Sequence, residues 1–250
     1  MLREIHFTLG SVQVALSTHG LAVLVGVAAG AALALRRARD VDVVLVALAV
    51  AAPATLGGAW LLHRLVHGAG SGPGGLSSMG GVAGLLIAAW VVARLARQPV
   101  GDVLDALAPG ALLALAIGRV GCFLAGCCYG GPTELTWGVV FPELGPPARH
   151  PLQLYSAMVD PGLLAFLPRA DAPRGAVARS AAMGFGVLRA ALEMLRDPAA
   201  ADVLPGGVLT LAQAAALMLA ATAVAARPAR LRHPEPSTMA PPRRRAPHGG

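Results

Sequence analysis

The sequence predicts an all-α polytopic membrane protein of about seven transmembrane helices, with the N-terminus outside and the C-terminus in the cytoplasm. Three observations carry this. Hydrophobic residues make up 56% of the 250 and charged residues only 13%, where a soluble domain has about 25% charged. The apolar residues fall into seven runs, each close to the ~20 residues that cross ~30 Å of hydrocarbon. The arginines, finally, are divided unevenly between alternate loops.

The runs follow in order. Span one extends from about Val12 to Leu35 and stops at Arg36, Arg37 and Arg39. It is longer than the apolar region of a signal peptide and is read as a retained span. Span two runs from Val43 to Leu62 and stops at His63 and Arg64, before a Gly-rich stretch from Gly68 to Gly75. Span three covers Leu76 to Ala93 and ends at Arg94 and Arg97; span four starts near Val103 and continues past Arg119 to Cys128. A polar, Pro-containing loop covers Tyr129 to His150. Spans five, six and seven run from Leu152 to Leu167, Val177 to Leu195 and Val208 to Ala226. The shorter ones need snorkelling ends or local thinning of the bilayer. Residues 1–226 are thus one transmembrane domain, and the Pro- and Arg-rich residues 227–250 are read as a disordered cytoplasmic tail.

All 20 basic residues are Arg, and the net charge is +7. Fourteen of them follow spans one, three and five or lie in the tail, against four on the other side. That is a strong positive-inside bias. The basic excess therefore reports topology and not nucleic-acid binding, which the 4% aromatic content also does not suggest. Three cysteines are too few and too odd for a disulfide framework. A nucleotide-binding Gly-rich loop is excluded as well, because Gly72 to Gly84 has no following Lys-Ser/Thr.

Ionisable groups within spans are the informative positions, since each costs at least ~2.5–3.5 kcal/mol in lipid. Arg119 lies in span four, Asp160 in span five just before Pro161, and Arg189 and Glu193 four apart in span six. His19 is a milder case in span one. Two guanidiniums offer planar forks of donors matched to phosphate, so an anion site such as a lipid phosphate is one reading. Mutual neutralisation of Arg189 and Glu193 on one helix face is the other. Pairs such as Gly26 and Gly30, or Gly126 and Gly130, have the spacing that lets helices approach closely.

Cys122, Cys127 and Cys128 lie within seven residues. A closed zinc site wants four ligands at spacings such as Cys-x2-Cys. The spacing here is five then one with no nearby His, so no metal is expected and small apolar packing is favoured. Leu124 to Cys127 also has the form of a lipobox, but it follows three spans and is read as coincidence. In His150-Pro151-Leu152-Gln153-Leu154-Tyr155, Pro opens span five at the position where its missing N–H costs nothing.

The run Gly118-Arg119-Val120-Gly121-Cys122-Phe123, then Gly126, Gly130, Pro132-Thr133, Trp137-Gly138, Phe141-Pro142 and His150-Pro151-Leu152-Gln153-Leu154-Tyr155, resembles the prolipoprotein diacylglyceryl transferase family. The flanks agree through His19-Gly20, Ser77-Ser78-Met79-Gly80-Gly81, and Gly184-Phe185-Gly186-Val187-Leu188-Arg189 with Glu193 and Arg196. The resemblance implies a multi-pass protein of the bacterial cytoplasmic (inner) membrane. Such enzymes move a diacylglyceryl group from phosphatidylglycerol to the lipobox cysteine thiol in prolipoprotein signal peptides, releasing glycerol phosphate. They use no metal or organic cofactor; their partners are membrane lipids and not nucleic acid. Carried over residue by residue, Arg119 and Arg189 hold the phosphate, Glu193 orients Arg189, and His19 or His150 could supply the base. Substrate contacts are implied for Arg119, Gly121, Cys122, Gly130, His150, Gln153, Tyr155, Gly80 and Gly81. The sequence departs from the family pattern at Met79 (His in the family), Cys122 (Asn), Cys127 (acidic), His19 (Tyr) and Phe185 (Tyr). A relative that binds phospholipid headgroups without transfer is therefore the alternative.

Overall fold

The computed structural model describes residues 2–9, 12–68, 77–169, 171–197, 203–204 and 207–226. Among them are seven helices and one hairpin. The helices are α1 (Thr18–Arg37), α2 (Val41–His67), α3 (Ser78–Leu95), α4 (Val100–Ala125), α5 (Leu152–Leu164), α6 (Ala176–Glu193) and α7 (Leu211–Ala225). Four of them, α1 to α4, are long and apolar enough to cross a membrane. The expected tail lies outside the described residues, as does most of the Gly-rich stretch after Gly68.

The fold is mostly helical, as an all-α membrane protein requires, and differs from expectation in detail: β1 (Glu4–Leu9) pairs antiparallel with β2 (Val12–Ser17), with Glu4 opposite Ser17 and Leu9 opposite Val12. The first span accordingly begins at Thr18 and not at Val12. Hydropathy alone cannot separate these segments, because Val12 to Leu35 is one apolar run. Period-two alternation in Glu-Ile-His-Phe-Thr-Leu, followed by Gly10-Ser11, is the signal that separates them. Helices α5 and α7 are also shorter than expected, at 13 and 15 residues. At about 1.5 Å per residue each covers only some two-thirds of ~30 Å of hydrocarbon.

The helices pack as antiparallel neighbours, α1 on α4, α2 on α3 and α6 on α7, with α4 also contacting α5 and α6. Small residues allow this. A Cβ at Gly26 would lie 2.8 Å from the Ala114 carbonyl oxygen, and Gly30 and Gly110 face each other backbone to backbone. The Gly26/Gly30 spacing thus marks the α1–α4 contact, where van der Waals packing replaces the hydrophobic drive that lipid cannot supply. At one end of the bundle the core is nearly all alanine and valine: Ala34, Ala47, Ala89, Ala93, Val103 and Ala106 are at most 1% exposed.

Two polar devices fix that end. Asp102 on α4 accepts from Arg39, 2.7 Å away, and pairs with Arg174 at 3.2 Å. Gly175 begins α6 without a side-chain cap of its own. Asp105 of α4 supplies one, accepting from the amides of Gly175 (2.7 Å) and Ala178 (2.8 Å). It satisfies two of the donors that a helix N-terminus leaves unpaired.

The other end carries the hairpin, the loop after α4 and one end of each of the seven helices. Arg3 donates to the Ala125 carbonyl at the end of α4 (3.1 Å) and pairs with Glu143. Thr18 at the start of α1 donates through its hydroxyl to the Leu2 carbonyl (2.6 Å). The 126–151 segment is held by bridges from Gly130 to Arg196 and from Pro132 and Val139 to Arg149. Phe141, 1% exposed, plugs it against Phe123 and Tyr129.

Candidate functional site

At this end a cavity of about 200 Å³ opens between α2, α3, α4, α6 and α7. Its charged lining comprises Arg119, Arg189, Arg196 and Glu193. His63 and His67 from the end of α2 and Ser77 and Ser78 from the start of α3 add further polar groups.

The charges are arranged unequally. Arg189 and Glu193 are 8% and 5% exposed. Glu193 Oε2 lies 2.8 Å from Arg189 NH1, and its Oε1 lies 2.6 Å from Arg196 Nε. One carboxylate therefore serves two guanidiniums. Arg189 Nε is buried without a hydrogen-bond partner among the described residues. Arg119, half-buried, has no hydrogen bond or ion pair among them either. Asp160, 4% exposed on α5, is the other buried carboxylate among the described residues, and the guanidiniums of Arg119 and Arg189 act on it. With three guanidiniums and one carboxylate on its wall, the cavity has an excess of positive charge and free donors. That is the composition of an anion site.

Of the residues singled out from the sequence, the structure brings Arg119, Arg189 and Glu193 to this cavity. The others serve its frame. Gly121 lies under α1, where a Cβ would meet Ala22 Cβ at 2.6 Å. Gly80 faces Gly58 across the α2–α3 contact, and Gly81 lies against Thr55. Gly130 fits between the Leu195 carbonyl oxygen (2.6 Å from an added Cβ) and His150 Cβ (2.7 Å). Gln153 is fully buried and donates its side-chain amide to the Cys127 carbonyl. His150 Nδ1 is 3.3 Å from the Tyr155 hydroxyl, which accepts from Trp137 Nε1 at 2.9 Å. His19 sits beside Cys122, with Nδ1 3.8 Å from its Sγ. The expectation that no histidine lies near the cysteines is thus overturned, since 103 residues of sequence separate this pair.

Met79 and Phe185, two positions where a polar family residue is absent, share one apolar cluster with Leu112, Ala181 and Ala216 beside the cavity. Arg196, which the sequence places after Glu193 in the same run, also reaches the cavity, whereas sequence reasoning gave no role to His63 and His67. The histidines stack at 4.3 Å between ring centroids, one helical turn apart, yet in sequence they read only as the end of an apolar run. Their spacing of four was the available signal.

A family model described as prolipoprotein diacylglyceryl transferase matches residues 4–227, from the hairpin to the end of α7. The chain belongs to this family. Three proteins named phosphatidylglycerol–prolipoprotein diacylglyceryl transferase illustrate the likeness. The one from Nitratidesulfovibrio vulgaris is 38% identical over 130 residues, covering 50% of this chain and 49% of the relative. That from Cupriavidus metallidurans is 39% identical over 131 residues, covering 50% and 48%. That from Methylococcus capsulatus is 39% identical over 130 residues, covering 50% and 49%. The chain spans about half the length of the curated relatives it matches. The Arg pair of α4 and α6 and the glycines of the helix contacts both lie within the family match.

Proposed function

We propose that the protein transfers a diacylglyceryl group from phosphatidylglycerol to the lipobox cysteine thiol of a prolipoprotein signal peptide, in the bacterial inner membrane. The observation that carries this reading is the unpartnered guanidinium of Arg119 beside the half-satisfied guanidinium of Arg189 in one cavity. In the reaction, a sulfur–carbon bond forms as the carbon–oxygen bond to phosphate breaks. The electron pair leaves on the phosphate oxygen, and glycerol phosphate departs. Arg119 and Arg189 are suited to stabilise the charge that develops there, because they need no reorganisation to donate. Glu193 holds Arg189 and Arg196 in place. The thiol proton needs an acceptor, and His63 and His67 are the imidazoles on the cavity wall. No step requires a cofactor.

The reading includes topology. All seven helices cross the membrane, with the N-terminus and the cavity outside and the C-terminus in the cytoplasm. It is supported by the Arg distribution and by the cavity's place at the end of the bundle opposite Arg36, Arg37, Arg94 and Arg97. A reporter fused after Gly250 should be active only in the cytoplasm; periplasmic activity would overturn the span count.

The test of function uses the purified full chain, radiolabelled phosphatidylglycerol and a lipobox peptide. Labelled thioether product is expected, and Arg119→Ala should abolish most of it. Retained lipid binding without product, beside an active relative, would favour the headgroup-binding reading instead.

A further inference from the structure

Cys122, Cys127 and Cys128 have no part in the reaction proposed above, yet the fold gathers them. Their sulfur atoms all lie within 4.8 Å of one another. Cys122 is buried on the last turn of α4; the other two follow the helix cap. Gly126 takes a left-handed conformation (φ 73°) that reverses the chain, and the Cys127 amide donates to the Cys122 carbonyl at 3.1 Å. Cys128 then adopts φ 61°, which is left-handed for a residue that carries a Cβ. Such a conformation is disfavoured and persists where the surroundings over-determine it, commonly at functional positions. Buried Gln153 holds the turn from α5 through the Cys127 carbonyl. From α1, His19 brings Nδ1 to 3.8 Å from Cys122 Sγ.

Three explanations compete. Small apolar packing accounts for buried Cys122 but not for exposed Cys128, whose sulfur joins the same cluster. A disulfide between neighbours is disfavoured, because consecutive Cα atoms are about 3.8 Å apart and disulfides usually need about 4.4–6.8 Å. Pairing Cys122 with either partner leaves an odd thiol. Bonds of about 2.3 Å in a tetrahedral zinc site space sulfur atoms about 3.8 Å apart, a modest contraction of this cluster. Three thiolates and one imidazole form one of the closed zinc donor sets.

We propose that Cys122, Cys127 and Cys128, with His19 as fourth ligand, form a binding site for a thiophilic divalent cation of the zinc class. The ion enters from the cavity, which Cys128 also lines. Once bound, it ties the first turn of α1 to the turn that ends α4 and to Cys122, three residues from Arg119, and so braces one wall of the cavity. This site is independent of the transferase reading: a protein that only binds lipid would hold the ion equally well.

The test uses the full chain without a polyhistidine tag, purified in detergent under reducing, chelator-free conditions. Elemental analysis should find about one zinc per chain. Replacement by Co²⁺ should produce intense thiolate-to-cobalt charge-transfer absorption. Cys128→Ser, at an exposed position where folding is not at risk, should abolish stoichiometric zinc and shift the cobalt bands, as should Cys122→Ser and Cys127→Ser. His19→Ala should keep thiolate bands but weaken cobalt binding by at least the roughly tenfold that loss of a supporting group costs. Folded protein with three titratable thiols that takes up neither zinc nor cobalt would overturn the proposal, as would an intact mass showing two hydrogens lost to a disulfide. Unchanged cobalt affinity in His19→Ala would overturn the four-ligand assignment.

Discussion

Arg189 NH1 lies 2.8 Å from Glu193 Oε2, one turn further along α6, and both side chains are more than nine-tenths buried. Glu193 also holds Arg196 at 2.6 Å. Removing its charge strands a buried guanidinium. Glu193→Gln should therefore lower stability by about 3–5 kcal/mol, the cost of breaking a buried pair from one side. Thermal unfolding in detergent reads this directly. An unshifted midpoint would mean that Arg189 has a second anchor.

Arg119 should behave in the opposite way. It makes no hydrogen bond or ion pair among the described residues that could be lost. Arg119→Ala should leave the unfolding midpoint within about 0.5 kcal/mol of the wild type, while transfer falls about 10²–10³-fold, the effect of removing one preorganised donor. Arg119→Lys keeps the charge but not the fork, so it should rescue transfer only in part. A variant that loses stability and activity together would place Arg119 in the frame and not in the chemistry.

His63→Ala combined with His67→Ala should slow transfer by about 10²–10⁴-fold, the usual contribution of a positioned base, without changing affinity for phosphatidylglycerol vesicles. A flotation assay separates the two readouts. Full activity in the double variant would remove both imidazoles from the mechanism.

Neighbouring glycines on α2 should give opposite outcomes. A Cβ at Gly57 meets nothing within 4 Å, whereas one at Gly58 runs into the Gly80 carbonyl oxygen and approaches Gly84 Cα at 3.2 Å. Gly57→Ala should be neutral or stabilising by up to about 1 kcal/mol through helix propensity. Gly58→Ala should force α2 from α3 and cost about 1–3 kcal/mol as an overpacked contact. Equal midpoints for the two variants would refute the close α2–α3 approach.

Asp105 tests how α6 starts. Its two carboxylate oxygens cap Gly175 and Ala178 from a neighbouring helix. Asp105→Ala should cost about 0.5–2 kcal/mol, the usual value of an N-cap. Faster amide exchange should appear at Gly175 and Ala178, with α1 unaffected. Unchanged exchange at those two amides would show that the start of α6 is held elsewhere.

The sequence by itself determined the helical membrane class, the order of the apolar segments and the two intramembrane arginines that reach the cavity. Hydropathy is a local property, and an arginine in an apolar run carries a solvation cost large enough to be seen without a structure. The same locality explains the misreadings. Val12–Ser17 is apolar whether it forms a strand or a span, and only its pairing with Glu4–Leu9 makes it a hairpin. Gly80, Gly81, Gly121 and Gly130 could equally have bordered a ligand; the neighbours they meet are helices and a loop. Tertiary structure alone decided that His63 and His67 share a wall with Arg119, that Glu193 divides itself between two arginines, and that Asp105 caps a helix some seventy residues away. It alone brought His19 to Cys122 across 103 positions. These relations depend on which helix faces touch and at what distance. Backbone contacts such as Gly30 with Gly110 and Gly58 with Gly80 set that geometry, and no window along the chain contains both partners.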